Sequence, residues 1–292
     1  MSVFCDVLQK CEDNKCVEIS DKFRSIPRIP MWKQLGDDII GEAANDQFGR
    51  SICLSKDGNT LVVGGPLNSS GHVRVFKRSR NVWIQLGDDF NGVAAKDNLG
   101  WSVALSDDGS VVIMGAYGFD NRKGQVRIYK WDGVAWTPKG DPINGDAMGD
   151  RSGLNVVINH DGSVVGAGAP YNWVAYGPED SGYVRVFEFN DESSSWIQKG
   201  QENEIRSGEC MSLDSSGSTI AIGVGNESGH VTVYDWILFI WIKRGEDFDH
   251  GQFGSSVSLN DAGTVVAIGS PFASRGCTSG VMKRNGFREE TL

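Results

Sequence analysis

Three observations predict an all-β fold built from about five repeated four-stranded units. The chain of 292 residues holds 38 glycines but only 8 prolines, and the glycines recur at matching places, which implies many tight turns and no disordered tract. Trp32, Trp83, Trp136, Trp196 and Trp241 stand at equivalent places of similar stretches, 45 to 60 residues apart. Each unit also has two strand-forming runs flanking a turn dipeptide, Asp57-Gly58, Asp108-Gly109, Asp161-Gly162, Ser216-Gly217 or Ala262-Gly263. Glycine there supplies the positive φ of a hairpin.

In chain order, residues 1–31 form a separate segment. Val3, Phe4, Val7, Leu8 and Cys11 fit one face of a short amphipathic helix, and "SIPRIP" before Trp32 reads as a linker. The repeats follow over 32–286. The second has "LGWSVALSDDGSVVIMGAY", a variable loop, then "GQVRIYKWDGVAW". Its first strand alternates small and large side chains, and its second, Val111 to Ala116, is rich in β-branched residues. A third strand begins after the variable loop, and the fourth opens at the tryptophan. The repeats show no convincing helical periodicity.

Four-strand units of this length predict the blades of a β-propeller, each packing both faces on its neighbours. In "SVSL", Val257 and Leu259 share one face and Ser256 and Ser258 the other, so bulky and small layers can interlock. The blades are expected near 39–89, 90–141, 142–201, 202–247 and 248–286. Residues 32–38 are expected to serve as the fourth strand of the last blade and close the ring, leaving 287–292 as a tail. In the fifth unit "GVMKRNGF" is a weak third strand, because Arg284 and Asn285 stand where the first unit has Val75 and Phe76.

Composition excludes some roles. A formal net charge of −10, with no clustered basic surface, argues against nucleic acid as a partner. The longest apolar run, Trp236 to Ile242, lies between Asp235 and Lys243 and falls well short of the roughly 20 residues of a spanning helix. No basic stretch followed by an apolar core marks a secretory signal in this sequence. Cys5, Cys11 and Cys16 lack zinc-site spacing and a nearby histidine, which leaves a disulfide or inert thiols.

The phrases "NDQFGRSICLSKDGNTLVVGGP…SGHVRVF" and "DHGQFGSSVSLNDAGTVVAIGSP" resemble FG-GAP repeats, the blades of integrin-α-like propellers, and especially the arrays in surface proteins of marine microbes. The resemblance spans roughly Trp32 to Gly280. It implies an extracellular or cell-surface location, an adhesive role and, in some repeats, a calcium loop between the first two strands. Here that place holds "SKDGNT", "SDDGS", "NHDGS", "DSSGS" and "NDAGT", with at most two carboxylates each, whereas calcium takes six to eight oxygen ligands. No cofactor is therefore expected.

Candidate chemistry is sparse. His72 and His230 occupy a repeat position that elsewhere holds Gln125 and Tyr183, which suits a structural or solvent-facing role. Asp46, Asp97 and Asp150 recur before the first strand, either as a ring of carboxylates or as turn caps; Arg74, Arg127 and Arg185 recur in the third, as a glycan-binding surface or as stems covering apolar neighbours. The caps and the covering stems are the readings favoured by this pattern. The leading expectation is a non-enzymatic module that binds a protein or glycan through its inter-strand loops. Tyr171, Trp173 and Tyr176 enrich one such loop in aromatic side chains. Ile237, Leu238, Phe239 and Ile240 align with the polar turn "DGVA" of the second unit and predict an apolar tip that could contact a partner or another copy. The alternatives are a propeller-type hydrolase or lyase with a channel site, and a degenerate repeat protein without activity.

Overall fold

The computed structural model describes residues 9–12, 15–18, 32–170, 182–200, 208–224, 229–248, 254–270, 278–283 and 290–291. The chain divides into two compact units, Met1–Asp37 and Asp38–Leu292. In the first, β1 (Gln9–Glu12) and β2 (Lys15–Glu18) form an antiparallel pair with Cys11 opposite Cys16. Cys11, expected on an amphipathic helix, thus lies in a strand, while Val3, Phe4, Val7 and Leu8 lie outside the described residues.

The second unit is all-β, with five antiparallel sheets in chain order. The first sheet contains β3 (Ser51–Leu54), β4 (Thr60–Gly65), β5 (His72–Ser79) and β6 (Val82–Gln85), with β7 (Phe90–Asn91) also pairing β5. The second repeats this arrangement with β8 (Leu99–Leu105), β9 (Val111–Ala116), β10 (Gln125–Trp131), β11 (Trp136–Pro138) and the added β12 (Ile143–Asn144). A single helical turn, α1 (Phe119–Arg122), sits in its variable loop. The third holds β13 (Asn155–Ile158), β14 (Val164–Ala169), β15 (Tyr183–Asn190) and β16 (Ser195–Lys199). The fourth holds β17 (Cys210–Leu213), β18 (Thr219–Val224), β19 (His230–Ile237) and β20 (Ile240–Lys243). The fifth holds β21 (Ser256–Leu259), β22 (Val265–Ser270), β23 (Thr278–Lys283) and β24 (Glu290–Thr291). In the first four sheets the main strands fall where expected, while the small additional strands β7 and β12 carry no separate sequence signal. In the fifth, β23 sits three residues earlier than the alignment implied, so Val281 and Met282, not Arg284 and Asn285, hold the register places of Val75 and Phe76.

Each sheet packs on the next through apolar side chains. Val62, Val73 and Val75 of the first meet Val103, Leu105 and Met114 of the second. Ile113 and Val126 of the second meet Val156 and Val165 of the third. Val164 and Val186 continue to Ile220 and Ile222, and Ala221 and Val231 to Val266 and Ile268. Successive side chains on a strand point to opposite faces, so one strand serves two cores.

The repeated tryptophans stitch the outer strands. The indole N–H of Trp136 donates to the Leu86 carbonyl at 2.8 Å, that of Trp196 to Lys139 at 2.6 Å, and that of Trp241 to Lys199 at 2.9 Å. Satisfying these buried or half-buried indoles in this way fixes the second, third and fourth sheets each against its predecessor.

The ends of the array differ from the expected closure. The fourth-strand place of the fifth sheet is taken by β24, from the stretch expected to be a tail, and residues 32–38 carry no strand. Pairing with a strand that follows closely in the chain closes a much shorter loop than pairing with residues more than two hundred positions away. The leading face of the first sheet is also open: Ile52 is 65% and Leu54 53% exposed, whereas the equivalent Val103 and Leu105 are buried.

Candidate functional site

The apolar tip is a two-residue hairpin, tighter than the expected four-residue turn. Trp236 pairs with Trp241 and Ile237 with Ile240, so both isoleucines belong to the strands and only Leu238 and Phe239 turn the chain. Their φ values are 51° and 67°. A two-residue hairpin of this kind needs positive φ at both positions, which favours Asn-Gly and penalises Cβ-bearing residues. Leu238 and Phe239 are also 85% and 83% exposed. They therefore contribute neither a relaxed turn nor buried apolar surface to folding. Their base is firm, because the Trp236 and Trp241 rings lie 5.2 Å apart and Trp241 is buried.

Tyr171, Trp173 and Tyr176 lie outside the described residues. The described flanks of their segment come together, since a Cβ placed on Gly182 would lie 3.0 Å from the Pro170 backbone. Next to it, the Tyr183 hydroxyl donates to Asp150 Oδ2 at 2.9 Å, and burial raises the Tyr183 pKa. Arg185 pairs with Asp146 at 2.8 Å.

The recurrent aspartates act as turn caps. Asp46 Oδ2 accepts from the Glu42 and Ala43 amides at 2.9 and 3.2 Å, and Oδ1 accepts from Phe48 N at 2.9 Å. Asp97 receives the Val93 and Ala94 amides, and Asp150 the Asp146 and Ala147 amides. All three carboxylates are buried. Burial pushes Asp46 up, but the amides of Phe48, Ala43 and Glu42, together with His72, hold its pKa below the usual value. Asp46→Ala should cost about 1–3 kcal/mol at neutral pH, because buried amides lose their acceptor. A group with a depressed folded-state pKa stabilises above its unfolded value, about 3.9, and loses that contribution as pH falls through the folded one. The difference between wild type and variant in urea unfolding should therefore shrink below about pH 4; a difference that persists unchanged there would rule out the ionised cap.

The recurrent arginines also bond locally. Arg74 pairs with Asp89 at 3.0 Å and with Glu42, and Arg127 donates to the Asn91 carbonyl at 3.0 Å. His72 is buried and stacks on Phe48, with ring centres 5.4 Å apart. Burial raises the Cys53 pKa and pushes the Cys210 thiol up to about 12, which disfavours reactive thiolates.

One cluster was not anticipated. The second residue of each first hairpin turn meets its counterpart in the next sheet: Lys56 N donates to Asp107 O at 2.9 Å, Asp107 N to His160 O at 2.8 Å, His160 N to Ser215 O at 3.3 Å and Ser215 N to Asp261 O at 2.9 Å. Lys56 Nζ then reaches Asp261 at 2.7 Å and Asp107 at 3.0 Å, joining the fifth sheet to the first. The Asp261 and Asp107 hydrogen bonds raise the Lys56 pKa, while Lys56 lowers that of Asp261. A lysine held protonated is no nucleophile, and a carboxylate with a depressed pKa is a weak base. The five turn positions align in the sequence, but their unlike residue types carry no sign that they meet. Among the described residues no group of three or more His, Cys, Asp or Glu side chains is placed to hold a metal ion, and no helix is long and apolar enough to cross a membrane.

No family model and no curated protein matches the chain. Among solved structures 883 chains are similar to it, so the fold is too widely shared to single out an activity. One is the hydrazine synthase of Kuenenia stuttgartiensis, with a TM-score of 0.53 and 15% identity over 80% of this chain and 70% of that one. At that identity the likeness is one of fold.

Proposed function

We propose that the five sheets are blades of an FG-GAP-type β-propeller and that the protein is a non-enzymatic recognition or adhesion module, binding a protein ligand through the Ile237–Ile240 tip. The propeller reading draws support from the repeated sheet-to-sheet cores, the tryptophan bonds and the chain of turn contacts ending at Lys56. The binding reading rests on one observation: Leu238 and Phe239 are exposed and also hold positive φ. Strain of this kind at an exposed position points toward a use other than folding. Fully burying each such side chain against a partner is worth about 1.5–3 kcal/mol.

The catalytic alternative has the Lys56–Asp107–Asp261 convergence in its favour. Its protonation states suit an ion-paired latch better than proton transfer, as described above. The double variant Leu238→Asn, Phe239→Gly separates the readings. Asn-Gly suits the turn, so unfolding free energy should rise by about 1–2 kcal/mol as left-handed strain is relieved, while capture of protein ligands on an array falls. Binding of glycans alone, or turnover of a substrate that Lys56→Ala abolishes, would displace this reading; loss of the fold would show that the tip is not a simple turn.

A further inference from the structure

Beside the tip, the outer hairpin of the third sheet and the fourth sheet leave a cleft of about 550 Å³. Trp236 and Phe239 supply its apolar lining from the fourth sheet, with Phe239 83% exposed, and Phe189 and Ile197 from the third. Glu188, Asp191 and Glu192 stand on the other side, all exposed. Among the described residues Lys199 is the one cation lining it, and its ammonium is committed: it lies 3.2 Å from Glu188 Oε2 and 5.2 Å from the centre of the Trp236 ring, with its side chain 8% exposed. Among the described lining residues three carboxylates thus share one already engaged ammonium, with Lys139 outside the lining acting on Asp191, and the exposed Phe239 lies beside them.

We infer that this cleft receives an arginine from an otherwise apolar segment of a partner protein; the inference rests on the tip being a protein-binding surface. Arginine satisfies both walls at once. Its guanidinium can bond carboxylates through parallel N–H groups and stack on an aromatic ring, and it sheds hydration more readily than an ammonium. Apolar neighbours of that arginine would cover Leu238 and Ile240, which are 85% and 45% exposed. A neutral glycan can donate hydroxyls to these carboxylates but brings no positive charge to balance them, and a phosphate-bearing ligand would be repelled.

The test uses the full chain and three short labelled peptides on one leucine- and serine-rich background, differing only in a central Arg, Gln or Glu. The Arg peptide should bind about tenfold more tightly than the other two, equivalent to about 1.4 kcal/mol. Its affinity should fall between about 0.01 M and about 0.15 M salt, as the screening length shortens from about 30 Å to about 8 Å. Asp191→Asn with Glu192→Gln should bring the Arg peptide to the level of the Gln peptide, whereas Phe239→Gly should weaken both. Equal binding of Arg and Gln peptides that still depends on Phe239 would overturn the arginine assignment and leave the tip as a protein-binding surface. Binding that ignores Phe239 would overturn both. Absence of peptide binding, with or without dimerisation that Phe239→Gly abolishes, would also overturn the assignment, and such dimerisation would identify a second copy as the occupant of the tip.

Discussion

Gly115→Ala is expected to destabilise the protein by more than about 3 kcal/mol, beyond the usual range for an overpacked core, whereas Gly269→Ala at the equivalent place should be tolerated. A Cβ on Gly115 would lie 1.9 Å from the Gly153 carbonyl oxygen and 2.8 Å from its carbon. Both obstacles are backbone, so no rotamer change relieves them and the second and third sheets would have to separate. The same approach recurs between Gly64 and Gly100, Gly168 and Gly208, and Gly223 and Gly254. These glycines therefore set the spacing from each sheet to the next. At Gly269 the obstacle is the Ser256 hydroxyl at 2.3 Å, which a side-chain rotation can clear, and among the described residues nothing lies within 4 Å of a Cβ on Gly49, at the head of the first sheet. Urea denaturation midpoints of the two variants measure the contrast. Equal losses would mean that the outward face of the fifth sheet is packed as tightly as the inner ones.

Much of this was legible in the sequence because it is written in local chemistry. Asp108-Gly109 between two strand-forming runs specifies a hairpin, and Trp83, Trp136, Trp196 and Trp241 mark four of the five outer strands, while the aligned Trp32 carries none. The tip was legible for the same reason: "ILFI" falls where the second repeat has "DGVA", and Trp236 does pair with Trp241 as Trp131 pairs with Trp136. Contacts between unlike residues of different repeats were not legible. Lys56, Asp107 and Asp261 share a turn position but no common residue type, and the cleft joins Asp191 to Phe239 across two sheets. The ends were misread because strand propensity does not name a strand's partner. Residues 32–38 read as a strand, yet β24 follows β23 in the chain and takes the place.

Leu105→Ala and Leu54→Ala test that end of the molecule in solution. The two leucines close the first strands of consecutive sheets and differ in their surroundings. Leu105 is 7% exposed and packs among Val73, Val75 and Val103, while Leu54 is 53% exposed. Truncating a buried leucine removes its transfer free energy and leaves a cavity, at a cost of about 2–5 kcal/mol. Truncating a half-exposed one removes less apolar burial and leaves no enclosed void, so the change should stay within about 1 kcal/mol. The gap between the two should appear as a difference in unfolding midpoint at constant m-value. A Leu54→Ala cost as large as that of Leu105→Ala would mean that the leading face of the first sheet is covered in solution. Dependence of that cost on protein concentration would then assign the cover to a second copy, since association shifts apparent stability by mass action. Independence would assign it to the chain itself. A small, concentration-independent cost would leave the first sheet joined to the fifth through the Lys56 ion pairs and without a packed core, a junction weakened by salt more than any other in the array.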